Sequence, residues 1–324
     1  MLLDDLIQRM RGFQEPRVLL GAVELDIFSA VGGGATAARV AARAGTDARA
    51  TGMLLNALVA LGALTKKRTV YRNTPASARL VGGQRLALMH TVNVFKAWTT
   101  LTDCVRKGTA VVPPKVERRN PEWTRSFIAA MHANAATAAA EMVRRVGAKH
   151  VRRLLDIGGG SGAYSLAFAR ANKSLRAEVF DLDSVVPIAQ QHIDEAGLGD
   201  RVTTRTGNLR RDEFGSGYDL VLLSAICHML GPEENLDLLC RSFRALAPGG
   251  RVVIRDFILD EDKTSPARAA LFALNMLVAT EKGATYTEAE YASWLRQAGF
   301  RNVTRPDPAG DLIIGCRPRL STSG

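Results

Sequence analysis

Several things are scarce in this chain of 324 residues, and each scarcity closes off a class of protein. Its four cysteines, Cys104, Cys227, Cys240 and Cys316, are widely spaced, with no CxxC pair and no histidine at metal-ligand spacing. That excludes a disulfide framework and a structural zinc site, and no metal is expected. No apolar run approaches the ~18–20 residues that span a bilayer, and Asp4 and Asp5 stand where a secretory signal carries positive charge. A cytoplasmic protein without a membrane partner is the expectation. Internal repeats are absent. So is the disordered signature of low hydrophobicity with high charge, since apolar residues make up 47% and charged residues 23%.

What the chain has in excess is positive charge, 43 Lys+Arg against 32 Asp+Glu, a formal +11. Such a balance invites a nucleic-acid reading. Its distribution argues otherwise: residues 1–140 hold 19 basic and nine acidic side chains, whereas residues 141–324 hold 24 and 23. In the front half the basic residues are scattered among apolar helices with little aromatic interleaving, the pattern of a solvated exterior. Lys66-Lys67-Arg68 is the local exception, a basic turn able to meet phosphates.

The length allows two domains of roughly 100–150 residues. Apolar periodicity predicts helices over 18–31, 35–44 and 48–64, the last through Met53, Leu54, Leu58 and Leu61. Leu64 to Asn73 then reads as two short strands around the basic turn. Helices followed by such a hairpin suggest a winged-helix module over 1–105. Residues 106–120, with Pro113-Pro114, read as a connector, and Asn120-Pro121-Glu122 opens a long helix to about Arg145 that bridges to a domain over 146–318. There, strands at Arg153–Ile157, 177–182, Val202–Thr206, 220–224 and 252–258 alternate with helical patterns, which implies an α/β fold with a parallel sheet. A helix over 288–298 closes at Gly299, and strands 302–305 and 311–316 come next without a helix between them, favouring an antiparallel closing hairpin. The tail 321–324 is expected to fray.

Asp156-Ile157-Gly158-Gly159-Gly160-Ser161-Gly162-Ala163 leaves a strand and enters a helix. Glycines there let backbone approach a ligand and leave the helix N-terminus facing it. Gly158, Gly160 and Ala163 also satisfy the GxGxxA dinucleotide fingerprint, so this loop alone leaves the nucleotide open. Asp181 ends the second strand, where an acid accepts from both hydroxyls of a ribose. Asn208 and Leu209 end the third, placed for an adenine, and Ser224 ends the fourth. Three stations on successive strand ends, with Asp156 ahead of the first glycine, favour S-adenosylmethionine over nicotinamide.

With Ile226-Cys227-His228, Ala247-Pro248-Gly249-Gly250-Arg251-Val252 and Asn275-Met276-Leu277, these motifs give residues 18–317 a resemblance to the class I O-methyltransferases typified by caffeic acid and hydroxyneurosporene methyltransferases. The resemblance implies a seven-stranded Rossmann-like sheet binding S-adenosylmethionine, which leaves as S-adenosylhomocysteine, and a winged-helix domain used for homodimerisation. Methyl transfer is an in-line displacement, so the protein must hold an oxygen nucleophile on axis and remove its proton. His228 falls at the position of the family's general base, a role suited to a side chain titrating near pH ~6.5. Asp256 matches an acid that orients it. The sequence departs from the family in two places: the usual His-Asp-Trp reads His228-Met229-Leu230, and the second acid is replaced by Thr285. Two readings are open, an O-methylation supported by Asp256 alone, or C- or N-methylation or a reaction without methyl donation on the same scaffold. The first is favoured because base and acid both persist. A cofactor-binding protein without chemistry and a DNA-binding winged helix are the alternatives of another class.

Phe272, Met276 and Thr280 recur at four-residue intervals and so share a helix face. By resemblance that face, with Phe127 and Met131 of the bridging helix, lines the acceptor pocket, and Thr280 is the group able to fix a ring substituent. Read as plain core, the same stripe carries no function. Read as pocket, it takes a flat, largely apolar acceptor such as a phenol or polycyclic natural product.

Overall fold

The computed structural model describes residues 2–112 and 120–319. Pro113-Pro114 of the expected connector and the tail 321–324 lie outside the described residues. The chain forms two compact units, 1–96 with 125–130, and 97–124 with 131–324.

In the first unit, helices Leu3–Arg11, Gln14–Glu24, Ile27–Val31, Ala37–Ala44, Ala48–Ala60 and most of Gly82–Trp98 surround strands β1 (Ala35–Thr36), β2 (Leu64–Lys67) and β3 (Val70–Asn73). The strands pair antiparallel in the order β1-β3-β2, the expected hairpin with a third short strand. Three expected helices depart from their periodicity: that over 48–64 ends at Ala60, and Leu64 opens a strand. The 18–31 pattern breaks at Asp26, whose φ of 53° is a left-handed conformation that Asp tolerates better than most residues. Residues Ala35 and Thr36 pair with Tyr71 and Val70 instead of starting a helix, because the Thr36 hydroxyl accepts from Arg39 N and caps the next helix. Ile27, Phe28, Leu55, Leu58 and Tyr71 form the core of this unit. In the wing, Lys66 donates to Asn56 Oδ1 at 2.9 Å and lies over the Tyr71 ring. The first helix buries none of its residues, leaving Leu3, Leu6 and Met10 exposed on an amphipathic segment.

The second unit contains β4 (Arg153–Ile157), β5 (Arg176–Asp181), β6 (Val202–Thr206), β7 (Tyr218–Ser224), β8 (Leu246–Arg255), β9 (Ile258–Leu259), β10 (Tyr286–Thr287), β11 (Arg301–Thr304) and β12 (Leu312–Cys316). Seven of these form one sheet in the order β11-β12-β8-β7-β4-β5-β6. β4 to β8 within it run parallel, and β12 is antiparallel to both β8 and β11, the predicted closing hairpin. The expected strand 252–258 is interrupted: β8 ends at Arg255, and Ile258–Leu259 pairs with Tyr286–Thr287 in a separate two-stranded sheet. The break comes from Asp256, whose carboxylate accepts from Phe257 N and turns the chain out of the sheet. Strand order reverses on either side of β4, and in parallel α/β sheets that reversal opens a crevice beyond the strand C-termini where ligands bind. Among the described residues no helix is long and apolar enough to cross a membrane.

Candidate active site at the strand ends

The loop after β4 is shaped by what its glycines leave out. A Cβ on Gly159 would stand 2.8 Å from Asp156 Cγ and 2.9 Å from Val179 Cγ1, so only glycine lets the loop close over the Asp156 carboxyl. Asp156 itself is buried behind the loop, where its Oδ2 accepts from Ser165 Oγ at 2.8 Å. Burial raises its pKa to about 7, helped by the charge of Asp181 and opposed by the Ser165 hydrogen bond. Gly158, Gly160 and Gly162 all have positive φ. Gly162 then caps helix Ala163–Ala171 with no side chain, while the Ser165 amide in its first turn is taken by the Asp156 carboxyl.

The remaining stations converge on this loop. Asp181 Oδ2 accepts from Gly160 N at 2.8 Å and Oδ1 from Leu182 N at 2.7 Å, which ties the acid at the end of β5 to the glycines after β4. Burial lifts its pKa to about 6 against these two amide bonds. Each carboxylate oxygen retains a lone pair for a hydroxyl donor. Asn208 is buried, with its Oδ1 accepting from Arg210 N, and Leu209 lies 3.7 Å from where a Gly158 Cβ would be. Ser224, at the end of β7, lies beside the Tyr164 hydroxyl. An S-adenosyl cofactor fits this chemistry: a cradle that side chains would fill, a helix N-terminus whose cap brings no side chain, and a carboxylate on the loop.

On the neighbouring strand ends, a one-turn helix Cys227–Met229 presents His228. The imidazole Nδ1 donates to Asp256 Oδ1 at 2.6 Å, and His228 N donates to Oδ2 at 3.1 Å. An ionised carboxylate only accepts, so Nδ1 carries the proton and Nε2 keeps its lone pair. The Asp256 side chain is fully buried and that of His228 is 8% exposed. The Phe272 ring meets the imidazole edge-on at 4.8 Å and stacks on Phe257 at 3.8 Å. Thr285 donates to Ala269 O at 3.1 Å and is buried, so its hydroxyl proton is spent on that carbonyl.

Phe272 therefore meets His228, and Met276 lies buried one turn along helix Ala267–Ala279. The Thr280 hydroxyl is committed to that helix's end, donating to Met276 O at 2.7 Å and accepting from Gly283 N at 2.9 Å. Met131 lies half-buried in the second unit, whereas Phe127 lies in the first, its ring 5.2 Å from His90. Two contacts escaped the sequence reading. His132 Nδ1 lies 2.9 Å from Ser161 Oγ in the glycine loop, with its ring stacked on His192 at 4.1 Å. Trp98 Nε1 donates to Asn275 Oδ1 at 2.9 Å. Neither is betrayed by spacing, since each joins elements far apart in the chain.

Comparison with known proteins agrees with this geometry. Residues 7–83 match the O-methyltransferase dimerisation domain and residues 98–301 the O-methyltransferase domain. The chain is 32% identical over 331 residues to the tetracenomycin polyketide synthesis 8-O-methyl transferase TcmO of Streptomyces glaucescens, covering 97% of each. It is 34% identical over 330 residues to 3-hydroxy-5-methyl-1-naphthoate 3-O-methyltransferase of Streptomyces sahachiroi, covering 97% of this chain and 94% of the relative. Human N-acetylserotonin methyltransferase, solved with S-adenosylmethionine, superposes with a TM-score of 0.81 at 25% identity, over 97% of this chain and 96% of that one. With a glycine-lined cradle at the sheet's reversal point, a buried His–Asp pair on neighbouring strand ends and family matches over residues 7–83 and 98–301, the chain belongs to the S-adenosylmethionine-dependent class I O-methyltransferases.

Proposed function

We propose that His228 is the general base of this enzyme, that Asp256 orients it, and that the acceptor is a hydroxyl on a small aromatic or polycyclic molecule of secondary metabolism. The observation that carries the reading is the 2.6 Å bond from His228 Nδ1 to a fully buried carboxylate, which leaves Nε2 to take a proton. Bound S-adenosylmethionine supplies an electrophilic methyl group. Gly158, Gly160 and Gly162 would admit it, Asp181 would hold the ribose, and Asn208, Leu209 and Ser224 would hold the nucleoside. Asp156 works from behind, fixing the loop through Ser165. As an acceptor hydroxyl attacks, its proton passes to Nε2, and the Asp256 carboxylate stabilises the imidazolium that results. Loss of the second acid at Thr285 leaves this stabilisation to Asp256 alone.

For the acceptor, the support is the apolar wall of Phe257, Phe272 and Met276 beside the base, together with the aromatic and polyketide acceptors named for the two Streptomyces relatives. His228→Ala should lower turnover roughly 10²-fold or more with cofactor affinity intact, and undiminished turnover removes His228 from the mechanism. We further propose a homodimer working in the cytoplasm, where cysteines stay reduced. The dimerisation-domain match and the unburied first helix, with Leu3, Leu6 and Met10 outward, support the dimer. Light scattering that returns a mass near 34.9 kDa, that of one chain, overturns it.

A further inference from the structure

A buried phenol stands behind the His228–Asp256 pair with no part in the chemistry described so far. Tyr291 is fully buried in helix Glu288–Gln297, its ring edge-on to Tyr286 at 6.0 Å and to Trp294 at 5.6 Å. Short local elements put it there. Two residues past Asp256 the chain enters the strand Ile258–Leu259, which pairs residue for residue with Tyr286 and Thr287. Thr287 then caps the helix, its hydroxyl accepting from Glu290 N while the Glu290 carboxylate accepts from Thr287 N. Tyr291, one turn further, is thereby pinned to the segment that carries the acid. Its oxygen is sealed from solvent and forms no hydrogen bond of standard geometry, and the charged group it faces is the Asp256 carboxylate.

Counting donors and acceptors gives that hydroxyl one place to go. A carboxylate offers about four lone-pair sites. Asp256 Oδ1 takes two donors, His228 Nδ1 and Phe257 N, whereas Oδ2 takes one, His228 N. A fourth site is therefore open on Oδ2. The other titratable groups facing Tyr291 do not compete for it strongly: Tyr286 gives its proton to Leu230 O, and Cys227 brings only the weak S–H donor of a thiol. Thr285 spends its own proton on Ala269 O. Burial first, and then nearby negative charge, pushes both phenols and the Cys227 thiol up, so all three keep their protons.

We propose that the Tyr291 hydroxyl donates to Asp256 Oδ2 in the working enzyme and tunes how tightly the His228–Asp256 pair holds a proton. This rests on the reading of His228 as the base. Tyr291 touches neither cofactor nor acceptor and acts through Asp256, so it is a positioning residue. The sign of its effect follows from charge. A donor bonds a carboxylate most strongly while that carboxylate is the only charge of the pair, and less once an imidazolium shares it. The bond therefore favours the proton-free base, and losing it raises the pH at which the pair takes up a proton, whichever of the two residues holds it.

The test uses the full chain saturated with S-adenosylhomocysteine and isotope-labelled at its histidine rings, with the imidazole resonances followed by NMR across pH. The His228 signal is the one missing from His228→Ala. Tyr291→Phe removes one oxygen, and is first shown to bind S-adenosylhomocysteine like wild type, which verifies its fold. It should move the His228 titration up by roughly half a unit to one unit. Its urea midpoint should also fall, because a bonded hydroxyl is lost, whereas deleting an unpaired one leaves the midpoint unchanged or raises it. A midpoint at or above that of wild type overturns the proposal. So does a lowered midpoint with the His228 titration unmoved, the outcome of a merely structural side chain. Neither readout involves turnover, so methyl transfer indifferent to His228→Ala ends the base reading, while these two measurements still decide the Tyr291 contact.

Discussion

Asp256→Asn changes one atom in the buried pair, and the surrounding donors dictate the outcome. Three N–H donors meet the carboxylate, His228 Nδ1 and Phe257 N on Oδ1 and His228 N on Oδ2, and the buried Tyr291 hydroxyl lies against it as well. Asparagine offers one oxygen. If that oxygen stays with the first two donors, the new NH₂ faces the His228 amide across 3.1 Å and the histidine keeps its tautomer. In the opposite orientation NH₂ meets both Nδ1 and Phe257 N, and Nδ1 must give up its proton to accept. The first arrangement clashes with fewer donors and is the one expected. It strands a buried donor, which costs about 1–3 kcal/mol of stability. Catalysis loses the anion beside the forming imidazolium. Exchanging a charge-assisted for a neutral hydrogen bond removes about 1–1.5 kcal/mol, and a unit charge pair at ~4 Å with an effective dielectric of ~20 is worth about 4 kcal/mol. Turnover should therefore fall between roughly tenfold and 10³-fold. The assay is labelled methyl transfer to a series of phenols whose acidity rises from ordinary to strongly activated. A base matters least for an acceptor already ionised, so the deficit should shrink as acceptor pKa falls. Activity within threefold of wild type, or a deficit that ignores acceptor acidity, refutes the role given to this pair.

Binding of S-adenosylhomocysteine should track the ionisation of Asp181. With a pKa raised to about 6, affinity is constant above that pH and falls below it, so calorimetry should find Kd roughly tenfold weaker at pH 5 than at pH 7.5. A flat profile separates Asp181 from the ribose. Asp156 acts on stability with the opposite sign of the usual carboxylate. Its pKa of about 7 in the fold, against an ordinary 3.8, means the native state keeps a proton that the unfolded chain releases, so its contribution is present at low pH and lost as pH rises toward 7. Asp156→Asn should gain on wild type by up to about 3–4 kcal/mol in urea unfolding between pH 4 and 7.5, and a constant gap contradicts the buried neutral carboxyl. Gly207→Ala would place Cβ 2.2 Å from the buried Phe180 ring, which packs edge-on against Phe214, and should cost about 1–3 kcal/mol. An unchanged urea midpoint would show that this contact yields.

The parallel strands and the glycine loop were legible because they are local. Arg153–Ile157 and Val202–Thr206 are apolar or β-branched runs bounded by turn signals, and they form strands with those boundaries. The long helix opening at Asn120-Pro121 announces itself through its cap, and Asn120 does accept from Trp123 N. Periodicity misled where a cap or a left-handed residue overrode it, at Thr36 and Asp26. It also missed the turn at Asp256, whose carboxylate is drawn out of the sheet by donors that include the distant His228.

Residue type at fixed local offsets was enough to establish the class of fold and to propose the cofactor stations and the base with its acid. Which side chains meet was settled only in three dimensions. The fold spends the Thr280 hydroxyl on its own helix end, bonds the Thr285 hydroxyl to Ala269 O, and joins Trp98 to Asn275 across 177 residues of chain. Those pairings are hydrogen bonds fixed by how helices end and pack on the sheet, and spacing along the chain carries no record of them.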